Sequence, residues 1–544
     1  MKLTITEKYL VLPINPSVRE KHITISDENG TVVFDFDVPL DAVNPKYKSY
    51  INVERFIGGS YYVSISPDAK FACSLEDRMP DDGIDEARPF VHYTTHRGWL
   101  SDPNGLFYYG GEYHMMYQYN PAAPVWGRSM HWGHATSTDL LHWTELDPVL
   151  YPDEDGAMFS GSAWVDSENA SGLGDGEHSP ILLFYTAAGG VTEQSAMAGK
   201  SFTQCMAYSL DGGRTFVKYD KNPLIPCILS ENRDPRVMYS AEMKKYVMLL
   251  YMENNRYTLF TSENLLLWER AQDIELKGDN ECPDFYPLKS IEGEVLWVFS
   301  GGNDYYTVGK MTRQGFSPIQ NPRPFNFGGR CSHAGQVFVS TDFAKRGSIA
   351  DRCVRLIYEN MHMTDLPFEN QIGFPTEMSL SKFGDIYRLR AVPVREIEKL
   401  YVSSELTENV SVKKKIGFSR HLEIGAYDLK LRCKKTVSPF TITLFGVSLY
   451  ISPEENRITL ENSQNIENDM PLSFSMGEIE LRILYDTAGI ELFADGGLIC
   501  YTSSVQSDYG MSYLRLDAQE NTVIDSLEIN RLKSARPMLG KLRL

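Results

Sequence analysis

The stretch Ser-Thr-Asp-Leu-Leu-His-Trp at residues 137–143 decides the fold, because two later stretches repeat its pattern. Residues 209–216 read Ser-Leu-Asp-Gly-Gly-Arg-Thr-Phe, and residues 262–268 read Ser-Glu-Asn-Leu-Leu-Leu-Trp. Each stretch begins with serine, passes through a polar turn and ends on a large aromatic side chain. The steps between these aromatic residues are 73 and 52 residues, which suit a four-stranded sheet with its loops. Radial repetition of this kind predicts a β-propeller, and the alternative is three unrelated hairpins.

Short runs rich in β-branched and aromatic residues, separated by Gly, Asn, Asp and Pro, extend over the whole chain. Helical periodicity is weak, and the longest helical candidate, near residues 394–400, covers only about two turns. The chain is therefore predicted to be all-β. Clear examples of the predicted strands are residues 31–36, 61–65, 113–119, 181–186 and 296–300.

The distribution of aromatic residues divides the 544 residues into three parts. All seven tryptophans lie between Trp99 and Trp297. Residues 1–85 are predicted to form a small N-terminal β module that ends in an acidic, proline-containing linker. Residues 86–400 are predicted to form the propeller and residues 401–544 a C-terminal β-sandwich.

Composition excludes several classes of partner. The net charge of −19 argues against nucleic acid and anionic membranes, because both require clustered Lys and Arg. No long apolar run opens the chain, so we expect a cytoplasmic protein without a signal peptide or membrane span. A neutral ligand fits this composition better, and homo-oligomerisation is left open.

Neither a cofactor nor a metal site is predicted. The eight cysteines are scattered without a Cys-x-x-Cys pair, which is typical of reduced thiols. His131 and His134 lie three residues apart on a predicted strand, so they should point to opposite faces and not share a metal. Gly189–Gly190 and Gly301–Gly302 lack the strand-to-helix setting of phosphate loops and are predicted turns.

Three acidic residues stand in unusual local sequences: Asp102 before Pro-Asn-Gly, Asp234 before Pro-Arg, and Glu281 before Cys-Pro-Asp. Proline follows each acid at once or after one residue, so each segment should leave its strand and turn the acid toward a pocket. Separations of 132 and 47 residues place the acids on different blades of a propeller, which converge on its central channel. Turn capping is the alternative for each acid taken alone.

Two carboxyl groups facing one pocket are the minimal apparatus of glycoside hydrolysis. Asp102, with Ser101 and Asn104 as hydrogen-bond donors, suits an ionised nucleophile. Glu281 is followed by Cys, Pro, Phe and Tyr among residues 282–286, which suits a desolvated acid with a raised pKa.

The third acid, Asp234, has a cation next to it in the sequence. Arg233 is expected to keep this carboxylate charged, which suits binding of substrate hydroxyls and stabilisation of developing positive charge. Taken together, the three acids predict one catalytic site.

These motifs resemble the sequence boxes of glycoside hydrolase family 32, the invertases, levanases and inulinases. Residues 99–105 are similar to its Trp-Met-Asn-Asp-Pro-Asn-Gly box, and residues 481–496 are similar to its sandwich signature. The matches run in order from about Arg88 to the end of the chain. The other matching motifs are Tyr117–Pro121, Val125–Gly127, Trp132–Ser137, Phe159–Ser162, Arg233–Pro235, Glu281–Asp284 and Gly302–Tyr306.

The resemblance implies a five-bladed propeller followed by a β-sandwich, with retaining hydrolysis of β-fructofuranosides. It implies that Asp102 is the nucleophile, Asp234 the transition-state stabiliser and Glu281 the acid/base. The implied activity is release of terminal fructose from sucrose or from short fructo-oligosaccharides of levan or inulin type. The implied substrate contacts are Trp99, Gln118, Trp126, Phe159, Ser160 and Arg233, with Ser101 and Asn104 beside them.

Three positions depart from the family pattern. Ser101 replaces the usual Asn, Asn280 replaces the usual Trp before Glu-Cys, and Tyr358 stands where many members have a pocket Trp. These changes leave sucrose and fructan oligomers open as substrates, and they make fructosyl transfer an alternative to hydrolysis. A non-catalytic carbohydrate-binding propeller is a third reading, disfavoured because all three acids are present. The N-terminal module lies outside the common two-domain pattern, as a packing module or a small glycan-binding unit.

Overall fold

The structure is a computed structural model that describes residues 1–67, 72–80, 87–327, 331–340, 352–361, 363, 365–461, 469–475, 477–536 and 538–539. Strands dominate these residues, which confirms the all-β prediction. The helical segment near residues 394–400 is a 3-10 helix, Arg395–Leu400. The described residues also include an α-helix, Glu193–Met197, and 3-10 helices at Glu54–Phe56 and Asp495–Gly497. No helix of the described part is long and apolar enough to cross a membrane.

The N-terminal unit, residues 1–67 and 72–80, contains two small antiparallel sheets. Their facing sides bury Leu10, Ile23, Ile25 and Phe36 in a core of their own. The sheet orders are β1-β6-β3-β4 and β5-β2-β7. Residues 81–86, within the predicted linker, lie outside the described residues. The strands are β1 Lys2–Thr4, β2 Tyr9–Ile14, β3 Lys21–Ser26, β4 Val32–Val38, β5 Tyr47–Asn52, β6 Ser60–Ser66 and β7 Ser74–Glu76.

The middle of the described chain contains five antiparallel sheets that each include a run of four strands. The first two sheets have the orders β8-β9-β10-β11 and β12-β13-β14-β15, so each strand pairs with its sequence neighbour. The α-helix Glu193–Met197 lies between β13 and β14. Their strands are β8 Gly98–Tyr109, β9 Glu112–Asn120, β10 His131–Ser137, β11 Thr144–Leu150, β12 Ala157–Val165, β13 Ile181–Ala188, β14 Thr203–Ser209 and β15 Val217–Lys218.

The next three sheets follow the same plan, with the orders β16-β17-β18-β19, β20-β21-β22-β23 and β25-β27-β30-β31. Short strands add to their edges: β24 pairs with β22, β29 with β27, and β26 and β28 pair in parallel with β8. The strands are β16 Arg233–Ser240, β17 Lys245–Glu253, β18 Arg256–Ser262, β19 Glu269–Glu275, β20 Asp284–Lys289, β21 Val295–Ser300, β22 Tyr305–Thr312, β23 Gly315–Pro318, β24 Arg323–Pro324, β25 Ser332–Val337, β26 Val339–Ser340, β27 Cys353–Glu359, β28 Phe368–Glu369, β29 Gln371–Ile372, β30 Thr376–Phe383 and β31 Ile386–Pro393.

The first strands of these five sheets, hereafter the inner strands, contact one another in turn. β8 contacts β12, β12 contacts β16, β16 contacts β20, β20 contacts β25, and β25 contacts β8 again. This closed sequence of contacts is consistent with a propeller, in which the inner strands surround one central channel.

Side-chain hydrogen bonds and one ion pair join the inner strands around this channel. Asn104 Oδ1 accepts from the Gly161 N–H at 3.3 Å, and Ser162 Oγ donates to the Pro235 carbonyl at 2.8 Å. Gln336 Oε1 accepts from the Leu106 N–H at 3.4 Å, which links the last inner strand to the first.

The buried pair Arg236–Asp284 completes this belt. Arg236 Nε lies 2.8 Å from Asp284 Oδ1 and so connects β16 with β20. Asp284 Oδ2 also accepts from the Val337 N–H at 2.9 Å, which connects β20 with β25. Asp284 is the last residue of the Glu-Cys-Pro-Asp motif, and its position gives that motif a structural purpose beside the glutamate.

The three repeated stretches occupy equivalent places, the turns between the third and fourth strands of the first three sheets. Asp139, Asp211 and Asn264 each cap their turn with a side-chain oxygen that accepts backbone N–H groups. The indole N–H groups of Trp143 and Trp268 each donate to the carbonyl three residues earlier, both at 3.1 Å. These shared contacts favour repetition over unrelated hairpins.

The C-terminal part contains two six-stranded antiparallel sheets, which is consistent with the predicted sandwich. Their orders are β32-β43-β34-β39-β40-β41 and β33-β42-β35-β36-β37-β38, and β44 pairs in parallel with β11 of the propeller. The five example strands predicted from the sequence are confirmed as β4, β6, β9, β13 and β21. The remaining strands are β32 Tyr401–Val412, β33 Phe418–His421, β34 Ala426–Lys434, β35 Phe440–Leu444, β36 Val447–Ser452, β37 Arg457–Glu461, β38 Asp469–Pro471, β39 Glu478–Tyr485, β40 Gly489–Ala494, β41 Ile499–Ser504, β42 Tyr513–Ala518, β43 Thr522–Leu532 and β44 Met538–Leu539.

Replacing Asp284 tests the belt of the inner strands. Asp284→Asn leaves the Arg236 guanidinium buried without its counter-charge, so we expect a loss of about 3–5 kcal/mol of folding free energy. Thermal unfolding should show a Tm lower by about 5 °C or more. The matched control is Asp273→Asn, which breaks the exposed Arg270–Asp273 pair on β19 and should cost at most about 1 kcal/mol. Equal Tm values for the two variants would contradict the role of the belt.

Candidate active site

The inner strands are irregular where the predicted catalytic residues lie. The register of the antiparallel strand pairing shifts at residues 100–103 on β8, 159–161 on β12, 233–236 on β16 and 333–336 on β25. Immediately before β20, Glu281 and Cys282 adopt φ angles of +42° and +39°. Backbone irregularities of this kind re-aim side chains away from the regular alternation of a strand. Each of the three predicted acids lies at one such irregularity.

Asp102 lies within the slip on β8 and is oriented by two groups from other sheets. Ser160 Oγ donates a hydrogen bond to Asp102 Oδ2 at 2.7 Å. Cys282 Sγ lies 3.4 Å from the same oxygen and 3.5 Å from Asp234 Oδ2. The Cys282 thiol therefore stands between the first two carboxylates and fixes their spacing.

Asp234 is buried at the start of β16, in a left-handed backbone conformation with a φ of +64°. Its backbone N–H donates to Thr186 Oγ1 at 3.0 Å, and its Oδ2 accepts from the Cys282 N–H at 2.9 Å. Burial raises the pKa of Asp234 to about 6, although Arg233 opposes this shift. Arg233 therefore helps to keep Asp234 charged, as expected, although desolvation has the larger effect on the pKa of Asp234.

Glu281 is held between two cationic groups. Arg233 Nη2 donates to Glu281 Oε2 at 2.8 Å, and His333 Nε2 lies 3.1 Å from Glu281 Oε1. The hydrogen bond from His333 is the main cause that lowers the pKa of Glu281 to about 2. The predicted raised pKa is wrong, because Phe285 lies fully buried on β20 while ion pairs surround the carboxylate itself.

His333 was missed by the sequence reasoning, since nothing in Arg-Cys-Ser-His-Ala-Gly marks it as a partner of a residue 52 positions earlier. It lies at the register slip on β25 beside Ala334, whose φ is +55°. A Cβ on Gly302 would lie 2.6 Å from His333 Cε1, so glycine is required there. The partnership with Glu281 raises the pKa of His333 to about 9 against the opposing effect of burial.

A second buried acid, Asp279, shapes the loop that carries Glu281. Its carboxylate accepts the backbone N–H groups of Asn280, Asn303 and Tyr305 at 2.7, 2.8 and 2.8 Å. Asn280, which replaces the family's Trp, accepts from Asn303 Nδ2 at 2.7 Å. Its side chain is therefore part of this loop network.

Three predicted contact residues are buried, and each has different neighbours. Asn104 belongs to the belt of inner strands, where it binds the Gly161 N–H and so serves the scaffold. Ser101 is buried next to Asp102 on the same irregular segment. Gln118 is buried on β9 and donates to the Met158 carbonyl at 2.9 Å.

The aromatic candidates fall into two groups. Trp99 and Phe159 are half-buried and pack in one cluster with Met130, and Trp99 lies 6.3 Å from the ring of Tyr358. Trp126 lies apart from them in the loop between β9 and β10 and is 52% exposed. Trp99 and Arg233 lie on β8 and β16, which carry Asp102 and Asp234, whereas Phe159 and Ser160 lie on the neighbouring inner strand β12. Trp126 is left at the surface.

The remaining predictions about metal and thiols have these outcomes. His131 Nδ1 contacts the Ser129 carbonyl at 2.8 Å, whereas His134 Nε2 contacts His114 Nδ1 at 3.1 Å, so the two rings have different partners. All eight cysteines are free thiols. Cys282 is the cysteine that contacts the candidate acids.

Two family models match the chain. The model of the glycosyl hydrolases family 32 N-terminal domain matches residues 92–381, and that of the family 32 C terminal matches residues 396–531. The N-terminal unit precedes both matches.

Curated relatives and solved structures agree with these models. Levanase of Bacillus subtilis strain 168 is 30% identical over 500 residues, covering 82% of this chain and 71% of the levanase. Invertase 1 of Saccharomyces cerevisiae is 27% identical over 372 residues, covering 64% of this chain and 68% of the invertase. Exo-inulinase from Aspergillus awamori superposes with a TM-score of 0.71 at 24% identity, covering 82% of this chain and 99% of the inulinase. Fructofuranosidase from Schwanniomyces occidentalis, complexed with fructose, gives 0.72 at 23% identity, covering 84% of this chain and 100% of that chain.

The Glu281–His333 pair predicts a defined pH dependence of stability. His333 has a raised pKa of about 9, so its contribution is complete below about 6.5 and is lost as pH rises through 9. Glu281 has a lowered pKa of about 2, so its contribution is complete above about 4.5 and is lost as pH falls toward 2. We therefore expect the Tm difference between the native chain and His333→Gln to be largest near pH 5–6 and to shrink by pH 9.

The control for this measurement is His421→Gln, which alters an exposed histidine on β33. Its Tm should stay close to that of the native chain, because an exposed side chain contributes little. A Tm difference for His333→Gln that stays constant from pH 5 to pH 9 would contradict the charged pair.

Proposed function

The chain belongs to glycoside hydrolase family 32, and on that premise we propose that it is a retaining β-fructofuranosidase. It releases terminal fructose from β-fructofuranosides, namely sucrose or short fructo-oligosaccharides of levan or inulin type. The observation that carries this proposal is the convergence of Asp102, Asp234 and Glu281 through Cys282 and Arg233.

In the first step Asp102 attacks the anomeric carbon of the terminal fructosyl unit. A bond forms from Asp102 to that carbon while the bond to the glycosidic oxygen breaks, and the leaving oxygen takes a proton from Glu281. Ser160 supports this role, because its hydroxyl orients the attacking carboxylate at 2.7 Å. Asp234 binds fructosyl hydroxyls and stabilises the positive charge that develops on the sugar.

In the second step water releases the fructose. Glu281, now a carboxylate, takes a proton from the water, the water oxygen bonds to the anomeric carbon, and the bond to Asp102 breaks. The cycle returns both carboxyl groups to their initial states.

The proton for the first step belongs to the Glu281–His333 pair. Their 3.1 Å contact lets one proton shift between His333 Nε2 and Glu281 Oε1, so the pair titrates as a unit. The low pKa of Glu281 means that the resting proton is on His333. Proton transfer to the leaving oxygen therefore occurs from the less populated form of the pair, in which Glu281 carries the proton.

Trp99, Phe159, Ser160, Ser101 and Gln118 are proposed to form the fructose site around Asp102, with Arg233 on the side of Glu281. Aromatic faces accommodate the C–H surface of a sugar while the polar groups bind its hydroxyls. Trp126 is proposed as a contact at the mouth of this site.

We further propose that the five sheets are the five blades of the propeller, which the successive contacts of their inner strands support. The divisions after residues 85 and 400, the cytoplasmic location and homo-oligomerisation stay predictions.

Substitution of the two reacting carboxyl groups tests the mechanism. Asp102→Asn removes the attacking oxygen and should lower kcat on sucrose by several orders of magnitude. Glu281→Gln removes proton transfer and should lower kcat by about 10²–10⁴-fold. The control Glu263→Gln, at a largely exposed side chain, should retain native turnover. Near-normal activity of either active-site variant would overturn the assignment.

Two further measurements define the chemistry. Mass spectrometry of Glu281→Gln with an activated β-fructofuranoside should detect a fructosyl group on Asp102, and its absence would contradict the retaining mechanism. Product analysis with sucrose, kestose, levanbiose, inulin and levan should show free fructose, whereas longer oligomers as main products would establish fructosyl transfer.

The pH–rate profile tests the origin of the proton. In the native enzyme the alkaline limb of kcat/KM reports loss of the proton from the Glu281–His333 pair. In His333→Gln that proton is held by Glu281 alone, still beside Arg233, so the alkaline limb should move to lower pH. An unchanged alkaline limb would show that His333 does not hold the proton.

A further inference from the structure

The loop of residues 121–130 connects β9 to β10 at the same end of the first sheet as the candidate site. Asn120, the last residue of β9, pairs with Trp99 on β8, and Tyr119 pairs with Leu100, directly before the segment of Asp102. At its far end the loop returns beside Phe159, because the Met130 carbonyl accepts from the Met158 N–H at 3.0 Å. The loop therefore begins and ends at residues that surround the site.

The first half of this loop is anchored in the N-terminal unit. Ala122 and Ala123 are buried in the hydrophobic core that the N-terminal sheets form, and Val125 packs against it. Asn120 Nδ2 donates to the Val125 carbonyl at 2.8 Å, and Asn120 Oδ1 accepts from the Ala122 N–H at 2.9 Å. The residues before Trp126 are thus fixed by a core that belongs to another unit.

The second half of the 121–130 loop is held by ion pairs. The Arg128 guanidinium lies 3.5 Å from both Glu20 Oε2 and Asp37 Oδ1 of the N-terminal unit. It also lies 3.7 Å from Glu193 Oε2, on the short α-helix between β13 and β14. Ser129 Oγ accepts from the Asp37 N–H at 2.8 Å. Arg128 therefore joins the N-terminal unit, the 121–130 loop and the propeller at one point.

Gly127 lies between these two anchors and allows the close approach of the N-terminal unit. A Cβ at this position would lie 2.9 Å from Glu20 Oε1 and 2.4 Å from Asn120 Nδ2. Trp126, which is 52% exposed, lies between the anchored Val125 and this close contact.

We propose that the N-terminal unit is part of the substrate site, because it holds the 121–130 loop so that Trp126 meets the bound β-fructoside. Arg128 is the positioning residue of this arrangement, and it acts through Trp126 without touching the reacting atoms. The inference rests on the proposed fructosidase function. It gives the residues that precede the family match a purpose in substrate binding instead of packing alone.

Pre-ordering is the physical basis of the effect. A loop that is already ordered does not lose conformational freedom when substrate binds. The contact between substrate and Trp126 therefore forms at a smaller cost in free energy than it would in a disordered loop. Releasing the loop should raise KM while kcat changes little, since the contact is made before and during the reaction alike.

A double-mutant cycle tests the proposal on the full chain. Arg128→Gln should raise KM for sucrose or kestose by about 5- to 30-fold, and Arg128→Lys should restore part of the loss. In the Trp126→Ala background Arg128→Gln should have no further effect, because Arg128 acts through that tryptophan. The matched control is Arg214→Gln, which removes a similarly exposed arginine that pairs with Glu112 at the opposite end of β9.

Hydrogen exchange supplies a measurement that does not depend on activity. Peptides covering residues 121–130 should exchange faster in Arg128→Gln and at the native rate in Arg214→Gln. Unchanged exchange, or equal and additive KM effects with and without Trp126, would overturn the proposal. A native chain that releases no fructose from any β-fructoside would overturn the proposed function, whereas the exchange result would still decide the role of the N-terminal unit.

Discussion

The inner strands must satisfy their backbone and charged groups without a continuous ladder between neighbouring sheets. Short parallel strands cover β8 only near its two ends, at Gly98–Trp99 and Phe107–Tyr108. Between those ends side chains supply hydrogen bonds to the backbone of β8. Gln336 from another sheet, for example, accepts from the Leu106 N–H. Because an unpaired buried polar group costs about 1–3 kcal/mol, this belt of side-chain contacts fixes how the five sheets meet. The irregular backbone that carries the acids lies within the same segments, so scaffold and site are set together.

The electrostatics of the site follow from which charges share it. Three carboxyl groups in one pocket repel one another, and the two cations Arg233 and His333 are both directed at Glu281. Asp234 also lies 3.7 Å from Arg233, but burial raises its pKa by more than Arg233 and the Cys282 N–H lower it. The half-buried thiol of Cys282 lies between Asp102 and Asp234, and desolvation holds its pKa well above the usual value. The acid and the stabiliser are thus distinguished by their partners and not by their residue type.

The first inner strand is also held from both flanking units. In the sandwich, Asp486 accepts the backbone N–H groups of Phe90 and Val91 at 2.8 and 2.9 Å, just before β8 begins. From the other side the N-terminal unit holds the 121–130 loop that follows β9. Segments on either side of the Asp102 strand are therefore anchored outside the propeller.

The sequence by itself determined the all-β class, the repeated turns and the positions of the three acids, because each depends on local patterns. Asp139 and Asn264 cap equivalent turns through neighbours only a few residues away. The environment of Glu281 was predicted wrongly, since its apolar sequence neighbours point into a core while its cations come from other sheets. A pKa depends on charges within a few ångströms, and 52 residues of sequence separate Glu281 from His333. Tertiary structure alone decided that contact, because only the closure of the inner strands brings their irregular segments together.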